Sequence, residues 1–258
     1  SGLSSSAARP RRYWRVVLGG YLIGLCQAAS HFYWLVEFKP AWLLPVLAGF
    51  AFIPATVGLA VSLALDSGLR GFWLLLWTAL SWTSIEILAS DLLFGLPSYA
   101  LGYYLWQAPL LLQTADVAGV FGISFCVMAV NVLAAQCWLA RGVGRVSWWL
   151  LTLCLIALVL GYGTWRQVTV EGLIEAGPKV AVRALHTDLT AEEKHDEANT
   201  RRMFAEFITA TREAAAGSSV AALTVWPETS LPLWLRSNRY VDIMQELSQA
   251  AADTGTPI

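Results

Sequence analysis

Charged residues are scarce in this chain of 258 residues: Asp, Glu, Lys and Arg make up 14% of it, whereas 57% is hydrophobic. A typical soluble domain carries roughly 25% charged residues, so the composition excludes an ordinary globular protein. The formal net charge is −1, and neither half of the chain is strongly basic. We therefore expect no nucleic-acid partner.

Cysteine and histidine are also rare. All four cysteines lie in apolar segments before residue 155: Cys26, Cys126, Cys137 and Cys154. Their absence from residues 171–258 excludes a disulfide framework and a thiol nucleophile in that polar part. The three histidines (His31, His186 and His195) show no ligand spacing, so we expect neither a metal site nor a cofactor.

Long apolar runs, in contrast, fill the first two thirds of the chain. A helix that spans a bilayer needs about 20 mainly apolar residues, and many of these runs end at Trp or Tyr, as is typical of membrane interfaces. Five segments have this length: about Tyr13–Val36, Trp42–Leu65, Gly71–Ala89, Val117–Ala140 and Ser147–Trp165. We predict a multi-pass α-helical membrane bundle, with about five transmembrane helices, in residues 1–170.

The basic residues indicate an orientation for these spans. Arginines precede the first span or lie at its start, separate the second from the third, and separate the fourth from the fifth: Arg9, Arg11, Arg12, Arg15, Arg70, Arg141 and Arg145. The other side carries only Lys39 before the polar part begins. The positive-inside rule then places the N-terminus in the cytoplasm, and an odd number of spans places residues 171–258 outside it.

Two features of the predicted outer side are candidates for substrate contacts. The connection Asp91–Leu112 is apolar and aromatic, which fits a segment that dips into the lipid interface or a plain surface connector. Glu86 lies near the outer end of the third span, where an ionisable residue is a functional candidate, although a carboxylate there can also simply reach water. His31, in the first span, is typical of a hydrogen-bonded packing residue.

The polar part alternates strands and helices. Lys179–Leu185 and Val220–Trp226 have the character of strands, and Thr190–Glu193 fits a capping box before the first helix. That helix, ending at Gly217, has an apolar stripe at Phe204, Phe207, Ile208 and Thr211; the second, from about Asn238 to Gly255, has one at Val241, Met244, Leu247 and Ala251. The order predicts an α/β sheet, and two strands make only a partial domain.

The second predicted strand ends in a carboxylate. Pro227 cannot donate to a sheet ladder, so the strand should stop there and place Glu228 on the rim of the sheet, where chemistry is usually located. The alternative interpretation of Glu228 is a surface carboxylate with no catalytic role.

Several short motifs occur together in this order: Trp82-Thr-Ser-Ile-Glu86, Gly95-Leu-Pro with Leu101-Gly-Tyr103, Asp116 with Gly119-Val-Phe-Gly-Ile-Ser124, Asn131, and Val225-Trp-Pro-Glu-Thr-Ser-Leu-Pro232. With them the chain resembles the apolipoprotein N-acyltransferases, membrane enzymes of lipoprotein maturation. The resemblance implies that residues 171–258 are the N-terminal part of an extracytoplasmic nitrilase-like domain, an α-β-β-α sandwich. It also implies the bacterial cytoplasmic (inner) membrane, with this domain on the periplasmic side.

The resemblance further implies a Glu–Lys–Cys triad, with Glu228 as general base. A phospholipid donates an acyl chain through a cysteine thioester, and the acceptor is the N-terminal amine of a diacylglyceryl-modified lipoprotein. Tyr103, Trp226, His195 and Glu86 are then expected substrate contacts.

The chain also departs from the family pattern. His186-Thr187 replaces Gln-Gly, His195 replaces a tryptophan, and Ser90 lies near a position where the family has arginine. Because the chain opens with Ser1 and its last residues approach another strand, we expect a fragment truncated at both ends. The triad lysine and cysteine are then expected beyond Ile258, and this chain alone is expected to be inactive.

Two other functions remain open at the level of sequence. One is a membrane-bound carbon–nitrogen hydrolase (an amidase), for which the same fold would serve. The other is a non-catalytic sensor, binding module or transporter subunit, although neither inverted repeats nor mid-span polar residues stand out.

Overall fold

The computed structural model describes residues 8–94, 99–186, 199–217, 221–227 and 241–258, with the backbone alone for residues 8–11, 38 and 92–94. The chain divides into two compact units, Ser1–Glu175 and Ala176–Ile258. In its described residues the first unit is helical, and the second combines two short strands with two helices.

The helices of the first unit follow one another as α1 (Ala8–Phe32), α2 (Leu35–Phe38), α3 (Pro40–Phe50), α4 (Phe52–Asp66), α5 (Gly71–Leu88), α6 (Pro109–Leu112), α7 (Ala115–Leu139) and α8 (Val143–Ala176). A π-helical stretch (Ala89–Phe94) and a 3-10 helix (Leu101–Leu105) lie between α5 and α6. Among the described residues, four helices are long and apolar enough to cross a membrane: Pro40–Asp66, Gly71–Asp91, Ala115–Leu139 and Val143–Ala176. These helices match the last four predicted spans and confirm a mostly helical membrane unit.

Helix α1 covers most of the first predicted span but is not one of those four. Polar side chains such as Arg15 and Gln27 dilute its apolar character. It packs closely against the junction of α3 and α4, which together form the continuous helix Pro40–Asp66, because a Cβ atom on Gly24 would lie only 2.6 Å from the carbonyl oxygen of Ala51. Small residues permit such close approach between membrane helices, so α1 has the packing of a fifth span, and the count of five stays a prediction.

One end of this unit gathers basic residues. The Arg12 guanidinium pairs with the Asp66 carboxylate at 2.9 Å, and Arg70 donates to backbone carbonyls at the end of α4. The ring of Trp148 borders Gly71. The start of α1, the end of α4 and the starts of α5 and α8 therefore lie at the same end.

Helix α8 runs on past the predicted end of the fifth span at Trp165. Its 34 residues correspond to about 50 Å at 1.5 Å per residue, whereas the hydrocarbon core of a bilayer is about 30 Å thick. A helix of this length reaches well beyond the apolar layer before the second unit begins.

The second unit contains a parallel pair of strands. Strand β1 (Val182–Ala184) pairs with β2 (Leu223–Val225), with Val182 opposite Leu223. Both strands are shorter than predicted. This small sheet supports an α/β arrangement, whereas the nitrilase-like fold stays a prediction.

Two helices accompany the strands, α9 (Thr200–Gly217) and α10 (Val241–Thr254). The predicted stripe of α9 is confirmed, since all four of its residues are buried: Phe204, Phe207, Ile208 and Thr211. The predicted capping box Thr190–Glu193 lies outside the described residues.

The predicted apolar face of α10 is only partly correct: of its residues, Leu247 packs against the buried cluster of the second unit. Ile243 and Ala250 are buried, whereas Val241 is 48% and Met244 37% exposed. The helix is turned so that β-branched Ile243 meets α9, which leaves Asp242 beside Arg201 at 2.7 Å. The hydrogen bond from Arg201 holds the pKa of the Asp242 carboxyl below its usual range.

Candidate functional site

The predicted general base, Glu228, lies outside the described residues, as does His195. The structure describes the strand ends that lead to this region. The Leu185 amide donates to the Val225 carbonyl at 3.0 Å, so the carboxyl ends of β1 and β2 are adjacent. In a parallel sheet, the connections that leave this edge carry most ligand-binding residues. His186 follows β1 at this edge, and Pro227 follows β2.

Trp226 is the last side chain before the Pro227–Glu228 turn, and it is turned toward the core of the second unit. Its indole N–H donates to the Thr211 hydroxyl at 3.0 Å. Its ring stacks on Phe207 with centroids 4.9 Å apart. These contacts tie the end of β2 to α9, and substrate contact by Trp226 stays a prediction.

Glu86 lies near the end of α5, and its side chain is only 2% exposed. Its Oε1 atom accepts two hydrogen bonds: one from the Trp82 indole at 2.6 Å, one helical turn earlier, and one from the Leu101 backbone amide at 2.8 Å. The Ser124 hydroxyl lies beside this carboxyl group. No described donor makes a hydrogen bond of ordinary geometry to Oε2.

The Leu101 amide belongs to the 3-10 helix that follows residue 100. The next amide, Gly102 N–H, donates to the Ser124 hydroxyl of α7 at 3.0 Å. The first N–H groups of a helix have no partner within the helix; here acceptors from α5 and α7 satisfy two of them. The apolar connection predicted from the sequence is therefore fastened to two long helices.

Aromatic side chains of this connection have contrasting environments. Tyr99 is 2% exposed and packs between Phe32 and Phe50, with a centroid distance of 4.4 Å to Phe50; burial raises the pKa of its hydroxyl well above the usual range. Tyr103 and Trp106 are 44% and 69% exposed. Among the described rings of this connection, Tyr99 is therefore buried, whereas Tyr103 and Trp106 lie at the surface of the unit.

A polar cluster between α7 and α8 was not predicted from the sequence. Asp116 accepts a hydrogen bond from the Tyr162 hydroxyl at 2.7 Å and pairs with Arg166. Tyr162 and Arg166 are four residues apart and share one face of a helix; this spacing was the available signal. The cluster fixes the start of α7 to α8 at the end opposite Arg12 and Arg70.

Two adjoining apolar cavities flank α7 and α8. One, of about 370 Å³, is lined by residues that include Ile123, Cys126 and Leu155. The other, of about 610 Å³, includes Phe121, Phe125 and Leu158. Both volumes fall in the range of small-molecule sites, and their lining is suited to hydrocarbon. All four cysteines are free, and the described residues contain no cluster of metal-ligating side chains.

Comparison with known proteins gives a consistent family assignment. Residues 3–133 match the family described as the apolipoprotein N-acyltransferase N-terminal domain. The chain is 29% identical over 256 residues to the apolipoprotein N-acyltransferase of Rhizobium etli, covering 92% of this chain and 47% of that protein. It is 28% identical over 271 residues to that of Geobacter metallireducens, covering 96% and 49%. For Brucella suis the identity is 30% over 200 residues, covering 76% and 37%. The chain spans less than half the length of these curated relatives.

Proposed function

Because this chain belongs to the apolipoprotein N-acyltransferase family, we propose that the intact protein transfers an acyl chain from a phospholipid to the N-terminal amine of a diacylglyceryl-cysteine lipoprotein. The observation that carries the proposal is the family match over residues 3–133, joined to similarity that continues through the second unit. The alternatives of an amidase and of a non-catalytic membrane module have no comparable support.

The first unit has features that suit a lipid substrate. Its four apolar helices place it in a membrane, where phospholipid is the surrounding solvent. The two apolar cavities beside α7 and α8 match the chemistry of an acyl chain, and the exposed rings of Tyr103 and Trp106 match that of an interface.

The second unit supplies the setting for the general base. Parallel strands β1 and β2 end side by side, and Glu228 follows β2 after only Trp226 and Pro227. In the proposed mechanism the Glu228 carboxylate removes the proton of a cysteine thiol, and the thiolate attacks the carbonyl carbon of the phospholipid ester. The protonated Glu228 then returns the proton to the departing lysophospholipid oxygen. These steps leave an acyl thioester on the enzyme.

The second half of the reaction regenerates the thiol. The lipoprotein amine attacks the thioester carbonyl, an amide bond forms as the carbon–sulfur bond breaks, and the proton lost by the amine nitrogen passes to the departing cysteine sulfur. A lysine stabilises the oxyanion in both halves. By family resemblance, this cysteine and lysine are expected beyond Ile258.

The proposed location is the bacterial cytoplasmic membrane, with the second unit on the periplasmic side. Arg12, Arg70 and the start of α8 share one end of the first unit, and the positive-inside rule assigns that end to the cytoplasm. Lipoprotein acceptors exposed on the outer leaflet would then meet the second unit.

The proposal is tested by Glu228→Gln in the full-length protein reconstituted with labelled phospholipid. Loss of a general base typically lowers the rate by about 10²–10⁴-fold, so we expect acyl-thioester formation to fall by that factor. Glu213→Gln, which changes an exposed carboxylate on α9, is the matched control and should leave the rate unchanged. Retained thioester formation in Glu228→Gln would remove Glu228 from the mechanism.

A further inference from the structure

The Glu86 carboxyl group and the neighbouring Gly102 amide together join three parts of the first unit. Oε1 binds the Trp82 indole of its own helix and the Leu101 amide of the 3-10 helix. The adjacent Gly102 amide binds Ser124 of α7. The start of the segment Tyr99–Trp106 is thereby held by α5 and α7 together.

The burial of this carboxyl group needs an explanation. An ionisable side chain inside an apolar helical unit is costly and is retained where it has a role. Direct contact with a substrate is difficult for a side chain that is 2% exposed. Its hydrogen bond to the Leu101 amide instead indicates a role in holding the segment Tyr99–Trp106.

What the segment presents follows from how it is held. Tyr99 is packed among buried rings, and Gly102 approaches α7 so closely that a Cβ atom there would overlap Val120. Because these positions are fixed, Tyr103 and Trp106 can shift little in the direction of the helix axes. Both side chains are exposed.

We propose that Glu86 is a positioning residue: it fixes the segment Tyr99–Trp106 so that the exposed rings of Tyr103 and Trp106 hold the phospholipid at the membrane surface. The role rests on the proposed acyl transfer from phospholipid. It differs from the substrate contact expected from the sequence, because Glu86 acts through the Leu101 amide and touches no lipid.

Two substitutions distinguish the effect of losing the hydrogen-bond acceptor from the effect of changing the side-chain volume. Glu86→Gln keeps an oxygen acceptor for Trp82 and Leu101. Glu86→Met keeps a similar length but removes both acceptors. Thr78→Val on the same helix is the control, since its buried hydroxyl bonds the Leu74 carbonyl within α5.

The first measurement is amide hydrogen exchange of the full-length protein in phosphatidylethanolamine–phosphatidylglycerol nanodiscs, resolved to single amides. In Glu86→Met we expect the Leu101 and Gly102 amides to exchange about tenfold faster or more, with the mid-α7 amide of Leu133 unchanged. Glu86→Gln and Thr78→Val should match the wild type. Unchanged exchange at Leu101 in Glu86→Met would show that Glu86 does not hold the segment Tyr99–Trp106, and would overturn the proposal.

The second measurement is the kinetics of thioester formation with varied phospholipid. Loss of the hydrogen bond to Leu101 should raise the apparent KM of Glu86→Met for phospholipid about five- to tenfold, with kcat changed less than about twofold. Glu86→Gln should have the KM of the wild type. A fall in kcat with unchanged KM would indicate a merely structural role and overturn the proposal. Absence of acyl transfer in the wild type would overturn the proposed function and the lipid-positioning role. Hydrogen exchange tests independently whether Glu86 holds the segment Tyr99–Trp106.

Discussion

Trp226 donates its indole N–H to the hydroxyl of Thr211 at 3.0 Å, and this bond joins the end of strand β2 to helix α9. The Thr211 hydroxyl in turn donates to the Phe207 carbonyl at 2.7 Å, and the Trp226 ring stacks on Phe207. The position from which the chain continues toward Glu228 is therefore fixed by core contacts only two residues earlier.

This arrangement predicts graded effects for two substitutions of Trp226. Trp226→Phe keeps a ring against Phe207 but removes the N–H donor, so it should lower the free energy of unfolding by about 1 kcal/mol. Trp226→Ala also removes the ring and should cost about 3–5 kcal/mol. Denaturant unfolding of the full-length protein, followed through the second unit, measures both.

A double-mutant cycle with Thr211→Val supplies the control, because a coupled pair gives a non-additive sum. Full stability of Trp226→Phe, together with a raised KM for phospholipid, would contradict the core role and favour the substrate contact expected from the sequence.

A second prediction concerns Gly163 of α8, which is buried against the carbonyl oxygen of Leu110. A Cβ atom at Gly163 would overlap that oxygen, whereas one at Gly161 would meet no atom within 4 Å. Gly163→Ala should therefore destabilise the first unit by about 1–3 kcal/mol through overpacking.

Gly161→Ala is the matched control on the same helix. It should be neutral or stabilise by up to about 1 kcal/mol, because Ala is the better helix former. Thermal unfolding in detergent, followed by tryptophan fluorescence, compares the two variants. Equal midpoints would show that α8 does not depend on its contact with Leu110.

The sequence predicted best those features that depend on local pattern. Apolar runs of membrane length became helices, and the stripe at Phe204, Phe207 and Ile208 became the buried face of α9, since periodicity directly records which side of a helix meets apolar surroundings. The face of α10 was predicted only in part, because Val241 and Ile243 are both apolar and the periodic pattern alone does not decide which of them packs against α9.

The contacts of the candidate site were beyond sequence reasoning because they join distant positions. Glu86 was recognised as an unusual carboxylate, but its Leu101 partner lies 15 residues away and depends on how a 3-10 helix begins. Asp116 meets Tyr162 and Arg166 across 46 and 50 residues. The extension of α8 to Ala176 was missed because apolar character ends near Trp165, whereas helix formation continues through polar residues.

The last prediction concerns the side of the membrane on which the second unit lies. Trp148 borders Gly71 near Arg70, whereas Tyr162 binds Asp116 at the other end of the same helix, so α8 carries the chain from the arginine-rich end to the opposite one. Because basic residues favour the cytoplasm, an alkaline phosphatase fused after Ala176 should be active in the periplasm. The same enzyme fused after Ser67, in the connection beside Arg70, should be inactive, and a green fluorescent protein at that position should fluoresce. The reverse pattern would place Glu228 in the cytoplasm, away from exported lipoproteins, and the proposed acyl transfer would lose its acceptor.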